Sequence, residues 1–326
     1  MNAIIPSSPA PLAATDADAL AAFGDFLRLH VADGDASPAT LRTYRGNVAA
    51  FYAWCQGQGI PAAQATADDL AAYRRALVES GLSRSTVSTR LAAVARFFEA
   101  ARWRGLRQDN PAAGLKAPRD KTAAAERIKF LPPDGVGRLL AACPDDARGK
   151  RDRALLALFG LQGPRVAELA ALDLVDVDLA ATPATVRIEH GKGGKARTLY
   201  LAQTDRDALA AWLAIRAQLP TQDAAVFVTT QSNQEGEAGR RLSDRSIRRR
   251  IDHYLRVTGL KRQGVSCHSL RHSFGTWSAA AGVGVDAISA ALGHSSLIPT
   301  GIYVKVADRI KQNPAAALEK FYGLAS

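Results

Sequence analysis

Residues 182–201, TPATVRIEHGKGGKARTLYL, carry the clearest strand signal in the chain. Apolar and polar side chains alternate on either side of a Gly-rich centre, the pattern of two antiparallel strands joined by a tight turn. Before and after it, apolar residues recur at helical spacing. The expected fold is therefore mainly α-helical, with a small antiparallel β-sheet in the C-terminal part.

Four amphipathic segments fill the stretch from Asp16 to Asn110: ADALAAFGDFLRLHV, SPATLRTYRGNVAAFYAWCQGQG, TADDLAAYRRALVESG and SRSTVSTRLAAVARFFEAARWRG. Ser37 and Thr66 can cap helix N-termini, Pro38 suits a first helical position, and Gly57, Gly81 and Gly105 suit C-terminal ends. DNPAAGLKAPRDKTAAAER then reads as a Pro-, Ala- and charge-rich linker. The chain has 326 residues, beyond the usual size of one compact domain. The expected division is a tail over residues 1–12, a small helical domain over 13–110, a linker over 111–126 and a second domain over 127–326 that ends in a tail helix. The second domain adds PPDGVGRLLAAC, GKRDRALLALFGLQG, DRDALAAWLAIRAQL, LSDRSIRRRIDHYLRVTG, HSLRHSFGTWSAAAGVG and VDAISAALG as helices around its hairpin.

Charge selects a partner class. Lys and Arg number 42 against 31 Asp and Glu, a formal net charge of +11, which points to a polyanion such as nucleic acid. Residues 1–120 hold 13 basic and 11 acidic side chains, so nearly all the excess belongs to the second half. Cys55, Cys143 and Cys267 stand far apart without CxxC spacing, which indicates neither a disulfide framework nor a zinc knuckle. The N-terminus lacks the basic start and apolar core of a signal peptide, and no run of about 18 apolar residues occurs. A cytoplasmic protein without membrane attachment is expected.

A helix over HSLRHSF places His268, Arg271 and His272 on one face. Ser269 stands where an HExxH motif has its glutamate, and no third ligand is evident, which counts against a metal hydrolase. A nucleophile among several cations explains more, because cations can hold the charge of a pentavalent phosphate. Arg165, after Gly163 and Pro164, falls in the first turn of a helix beside amides that favour anions. Lys192 falls at the hairpin tip between glycines, and Tyr303 on a short, mobile segment after Gly301. Alone, each would pass for a surface or packing residue.

Taken in order, these residues resemble the catalytic domain of the tyrosine recombinase or phage integrase family, from about Lys129 to the C-terminus. Arg165 in GPRVAEL matches the family's first arginine, with Glu168 three residues on as a supporting acid. Lys192 in GKGGKAR matches the hairpin lysine, and His268 and Arg271 match the HxxR pair. His294 in LGHSS matches the last histidine and Tyr303 the nucleophile, nine residues later. The first domain is more loosely similar to the family's helical, SAM-like core-binding domain. Pro164, Gly275, Trp277 and Gly301 depart from the family's usual residues, and none of them removes a catalytic group.

The resemblance implies a site-specific recombinase, Xer-like or from a mobile element, that cleaves DNA through a 3′-phosphotyrosine without metal, ATP or other cofactor. Arg165, Arg271 and His268 would hold the phosphate, Lys192 would be the general acid, and His294 would orient the phosphate. It also implies a two-domain, C-shaped clamp on double-stranded DNA carrying paired inverted sites, and a homotetramer on that DNA, alone or with a paralogous recombinase. Arg240–Arg262 holds nine basic and two acidic residues. Arg241, Arg245, Arg248 and Arg249 within it, with Lys195, are expected on phosphates from one side of the duplex, and Arg42, Arg45, Arg84 and Arg90 from the other. The competing readings are a DNA-binding protein without catalysis, a type IB topoisomerase-like strand relaxer, and a metal-dependent nuclease.

Overall fold

The computed structural model describes residues 15–119, 122–189, 196–221, 223–232 and 237–324. The chain forms two compact units, Met1–Lys121 and Thr122–Ser326.

The first unit is four helices, α1 (Asp16–His30), α2 (Pro38–Gln58), α3 (Ala67–Glu79) and α4 (Arg84–Trp103). Their starts follow the chemistry of the sequence. Thr15 and Thr66 form reciprocal capping boxes with Asp18 and Asp69, Ser37 accepts from the Thr40 N–H with Pro38 at N1, and Ser83 accepts from the Thr86 N–H. The end of α2 corrects one expectation. Gly57 stays helical, and Gly59 two residues later takes the left-handed cap, with φ +68°. An aromatic cluster of Phe23, Phe51, Tyr73, Phe97 and Phe98 fills the core. The start of the expected linker belongs to this core as well. Ala112 is buried against it, and Asn110 bonds the Ala95 carbonyl and the Ala112 N–H.

The second unit runs α5 (Ala124–Arg127), α6 (Gly135–Ala141), α7 (Ala147–Gln162), α8 (Val166–Ala171), β1 (Val177–Asp178), β2 (Thr185–Ile188), β3 (Arg197–Tyr200), α9 (Gln203–Arg216), α10 (Asp244–Val257), α11 (Cys267–Ala280), α12 (Val285–Leu292), α13 (Ile298–Lys311) and α14 (Pro314–Phe321). The hairpin of the sequence is β2–β3, antiparallel with Thr185 opposite Tyr200 and Ile188 opposite Arg197. The two-residue β1 adds a third antiparallel strand, too short to leave an alternation in sequence. Val186, Ile188 and Leu199 turn inward into the core that they share with Phe159, Trp212 and Phe227.

A buried ionic knot ties α7 to α10. Asp152, 1 % exposed, accepts from Arg151 through Oδ1 and from Arg250 and the Tyr254 hydroxyl through Oδ2. Removing one side of such a pair leaves buried charge unpaired, which costs about 3–5 kcal/mol. Asp152→Ala is therefore expected to lower unfolding stability by about 3 kcal/mol or more. Chemical denaturation against the wild type measures this, and an unchanged midpoint would contradict it.

Candidate active site

Two helix ends and one strand build the site. α7 stops at Gly163, whose φ of +63° turns the chain into Pro164, Arg165 and α8. α12 stops at Gly293 in the same left-handed conformation. Neither turn has room for a side chain. A Cβ on Gly163 would lie 2.7 Å from Phe274 Cδ1, and one on Gly293 would lie 2.9 Å from Arg197 Nη1.

Helix C-termini present carbonyls without helical partners at the negative end of the dipole. Arginines occupy these. Arg271, 2 % exposed on α11, donates to Gly163 O and Leu292 O, both at 2.6 Å. Arg165 Nη2 reaches Gly293 O at 3.4 Å, and Arg197 Nε donates to Ala291 O at 2.8 Å. Glu168 supplies the one buried carboxylate of the cluster. It accepts from the Arg165 backbone N–H and Nη1 at 2.7 and 2.8 Å, and from Arg197 Nη1 and Nη2 at 3.0 and 2.7 Å. Arg165 is thus the residue that caps α8, one position before its first turn. Three guanidiniums beside one another would repel, and a carboxylate with two helix ends offsets this while leaving the group net cationic.

Burial and that positive field together lower the pKa values of Arg271, His268 and His294. Burial and the Arg165 charge push Arg271 down to about 10, so it stays charged at neutral pH. Burial, Arg271 and Arg165 push His294 down to about 4. His268 is lowered by desolvation and by Arg271, Arg165 and Arg248, although its ring reaches the surface. The histidines are therefore neutral at pH 7 and act as hydrogen-bond groups rather than cations. His294 Nδ1 pairs with the buried Thr300 hydroxyl at 2.7 Å, which leaves its Nε2 for a ligand.

Tyr303 corrects the expectation of a short, mobile segment. It lies within the 14-residue α13, with Pro299 tolerated in the first turn, and is 4 % exposed against Ile288, Leu292 and Phe274. Burial raises its phenol pKa, and the charges of Arg271 and Arg165 oppose this. Its ring lies over Gly275, where a Cβ would meet Cδ2 at 2.5 Å. Its hydroxyl lies 3.0 Å from His272 Nδ1. Gly275→Ala forces the ring aside in a filled pocket, which costs about 1–3 kcal/mol and misplaces the hydroxyl. The expected result is DNA binding as in the wild type with DNA–protein adduct formation slowed about tenfold or more. Single-turnover kinetics beside gel-shift titrations check it.

The structure brings Arg165, Glu168, His268, Arg271, His294 and Tyr303 together. Lys192 and Lys195 lie outside the described residues. Sequence reasoning passed over Arg197 and gave His272 no role. The signal for Arg197 was its place two residues before the inward Leu199, on the buried face of an alternating strand. Arg241 is a further correction. Ser243 starts α10, so Arg241 precedes the helix and shares no face with Arg245, and its terminal nitrogens bond the Ala170 carbonyl, Asp173 and Asp223. It braces loops of its own unit. Arg245, Arg248 and Arg249 are exposed on α10, with Arg248 Nη1 against Cys267 Sγ at 3.4 Å. Arg42, Arg45 and Arg84 are exposed and Arg90 half-buried in the first unit. Among the described residues no group of three or more His, Cys, Asp or Glu is placed to hold a metal ion, and no helix is long and apolar enough to cross a membrane.

Residues 129–309 match the model of the phage integrase family, and residues 23–105 match that of the phage integrase N-terminal SAM-like domain. Tyrosine recombinase XerC of Shewanella amazonensis is 34 % identical over 281 residues, 86 % of this chain and 90 % of that protein. Among solved structures, the XerH site-specific recombinase in a post-cleavage complex with its palindromic difH substrate superposes with a TM-score of 0.69 at 20 % identity, over 94 % of this chain and 85 % of that one. A lambda integrase tetramer bound to a Holliday junction gives 0.65 at 17 % identity, over 89 % and 78 %.

Proposed function

Since the chain belongs to the phage integrase family, it is a site-specific tyrosine recombinase that breaks and rejoins DNA strands, and we propose that Tyr303 is its nucleophile. The observation that carries this assignment is the burial of the Tyr303 phenol within the field of Arg271 and Arg165, two guanidiniums fixed by helix-end carbonyls and Glu168. Tyr303 attacks a backbone phosphate to give a 3′-phosphotyrosine and a free 5′-hydroxyl. Arg165 and Arg271 bind the non-bridging oxygens, with the neutral His268 and His294 as further donors. Lys192, which falls between β2 and β3, protonates the departing 5′-oxygen. The 5′-hydroxyl of a partner strand then reverses the step. The phosphodiester energy is kept, so no ATP is consumed, and the arginines supply the charge that a metal would otherwise bring.

The substrate is double-stranded DNA with paired inverted sites, bound from one unit by Arg42, Arg45, Arg84 and Arg90 and from the other by Lys195, Arg245, Arg248 and Arg249. The active species is a homotetramer on that DNA, alone or with a paralogous recombinase, and the protein works in the cytoplasm. The exposed Leu318, Phe321, Tyr322 and Leu324 in and after α14 support docking of this tail on a neighbouring protomer. A covalent trap tests the reading. Wild-type protein is incubated in EDTA with nicked duplexes carrying a site selected by binding from a random pool, then run on a denaturing gel. An adduct whose modified peptide contains Tyr303 supports it, and activity lost in EDTA would favour a metal nuclease. Relaxation of a plasmid without the site would favour a topoisomerase-like relaxer.

A further inference from the structure

His272 has no part in the steps above, yet it touches the reacting atom. It projects from α11 one residue after Arg271 and one turn after His268, and its Nδ1 lies 3.0 Å from the Tyr303 hydroxyl. Among the described residues this is the only hydrogen bond that hydroxyl makes. A phenol that attacks phosphorus has to lose its proton as the new bond forms, and a base must stand within hydrogen-bond reach to take it.

We propose that His272 is the general base of strand cleavage, taking the Tyr303 phenolic proton on Nδ1 and returning it when the strand is rejoined. This rests on Tyr303 being the nucleophile. In cleavage the Oη–H bond breaks toward Nδ1, the Oη–P bond forms, the P–O5′ bond breaks, and O5′ takes its proton from Lys192. His272 is then an imidazolium. In rejoining, the 5′-hydroxyl gives its proton back to Lys192 as it attacks, the P–Oη bond breaks, and Oη recovers the proton from Nδ1. No proton or electron is left over.

The surroundings suit this task. One helix serves both ends of the tyrosine, with Gly275 beneath the ring and His272 at the hydroxyl. The groups facing His272 are His268, whose ring meets it edge-on with centroids 4.5 Å apart, Arg271 on its own helix, His294 after α12, and Tyr303 on α13. Burial, with His268, Arg271 and His294, pushes its pKa down to about 4, so the ring is neutral at pH 7 and its Nδ1 lone pair can accept. A scissile phosphate brings negative charge into the same pocket, which raises the basicity of the imidazole as substrate arrives.

The experiment compares full-length wild type, His272→Asn, His272→Ala and Tyr303→Phe in single turnover on one nicked duplex in EDTA, with gel-shift binding of the same duplex. Asparagine can accept the hydrogen bond of the phenol but not its proton. His272→Asn and His272→Ala are expected to bind DNA as the wild type does and to form the adduct about 100-fold more slowly. Added imidazole should speed the alanine variant at least about tenfold and leave the wild type unchanged. Cleavage by His272→Asn at the wild-type rate would overturn the proposal and leave His272 a positioning residue. An adduct formed by Tyr303→Phe would instead remove the nucleophile assignment, and the proposal with it.

Discussion

A Tyr303→Phe protein is expected to fold, to bind its DNA as tightly as the wild type, and to leave no covalent adduct on a denaturing gel. The substitution keeps the ring that packs on Gly275, Ile288, Leu292 and Phe274, so the volume of the pocket is unchanged. It removes one hydroxyl, whose partner is His272 Nδ1, and a half-buried imidazole that loses a single hydrogen bond costs about 1 kcal/mol. No arginine ligand is touched, since Arg271 and Arg165 are fixed by Gly163, Leu292, Gly293 and Glu168. The chemistry, by contrast, loses the proposed nucleophile. A loss on the order of 10⁴-fold or more is the effect typical of removing such a group. Fluorescence melting, gel-shift titration and the covalent trap measure the three parts separately. An adduct from the phenylalanine protein would mean that another side chain attacks, whereas a protein that fails to melt cooperatively would make the hydroxyl a structural group.

What could be read from the sequence follows from how locally each feature is encoded. Ser37 with Pro38, and Thr66 with Asp69, mark helix starts within four residues, and the structure uses both. The catalytic candidates could be found because order and spacing survive without any knowledge of packing. Tyr303 could be placed in the chain but not in the fold. Pro299 and Gly301 look like helix breakers, yet proline costs little in a first turn whose N–H groups have no helical partners, and α13 runs through both. Arg197 was hidden for a different reason. Its value depends on Glu168, 29 residues away, and on a carbonyl at the end of α12, neither of which lies within its own strand. Charge density in sequence did not show that Arg241 precedes α10 and holds Asp173 and Asp223.

Glu168 is expected to show the second large effect, because a carboxylate at this place is what allows a cationic site to exist in a folded core. Burial alone would push its carboxyl pKa up. The Arg197 guanidinium, the Arg165 N–H and the charges beside it outweigh that and hold the pKa below its ordinary value of 4.5. A depressed folded pKa means stability that is fully present above the unfolded value and is lost as pH falls through the folded one. Wild type therefore keeps this contribution at neutral pH and loses it only below about pH 4.5. Glu168→Gln removes it at every pH. An amide still accepts through one oxygen, but it turns an N–H toward a guanidinium, and Arg197, with 10 % of its side chain exposed, is left without its counter-ion. About 3 kcal/mol or more of stability should be lost at pH 7. Wild type and variant should then converge as pH falls from about 4.5 through the folded pKa of Glu168. Cleavage should slow about 100-fold, because Arg165 loses the clamp that fixes it against the phosphate. Denaturation curves at pH 7 and pH 4 with the single-turnover trap give both numbers. A variant as stable as the wild type at pH 7 would show that the helix-end carbonyls at Gly163, Ala291, Leu292 and Gly293 suffice to hold three arginines in place.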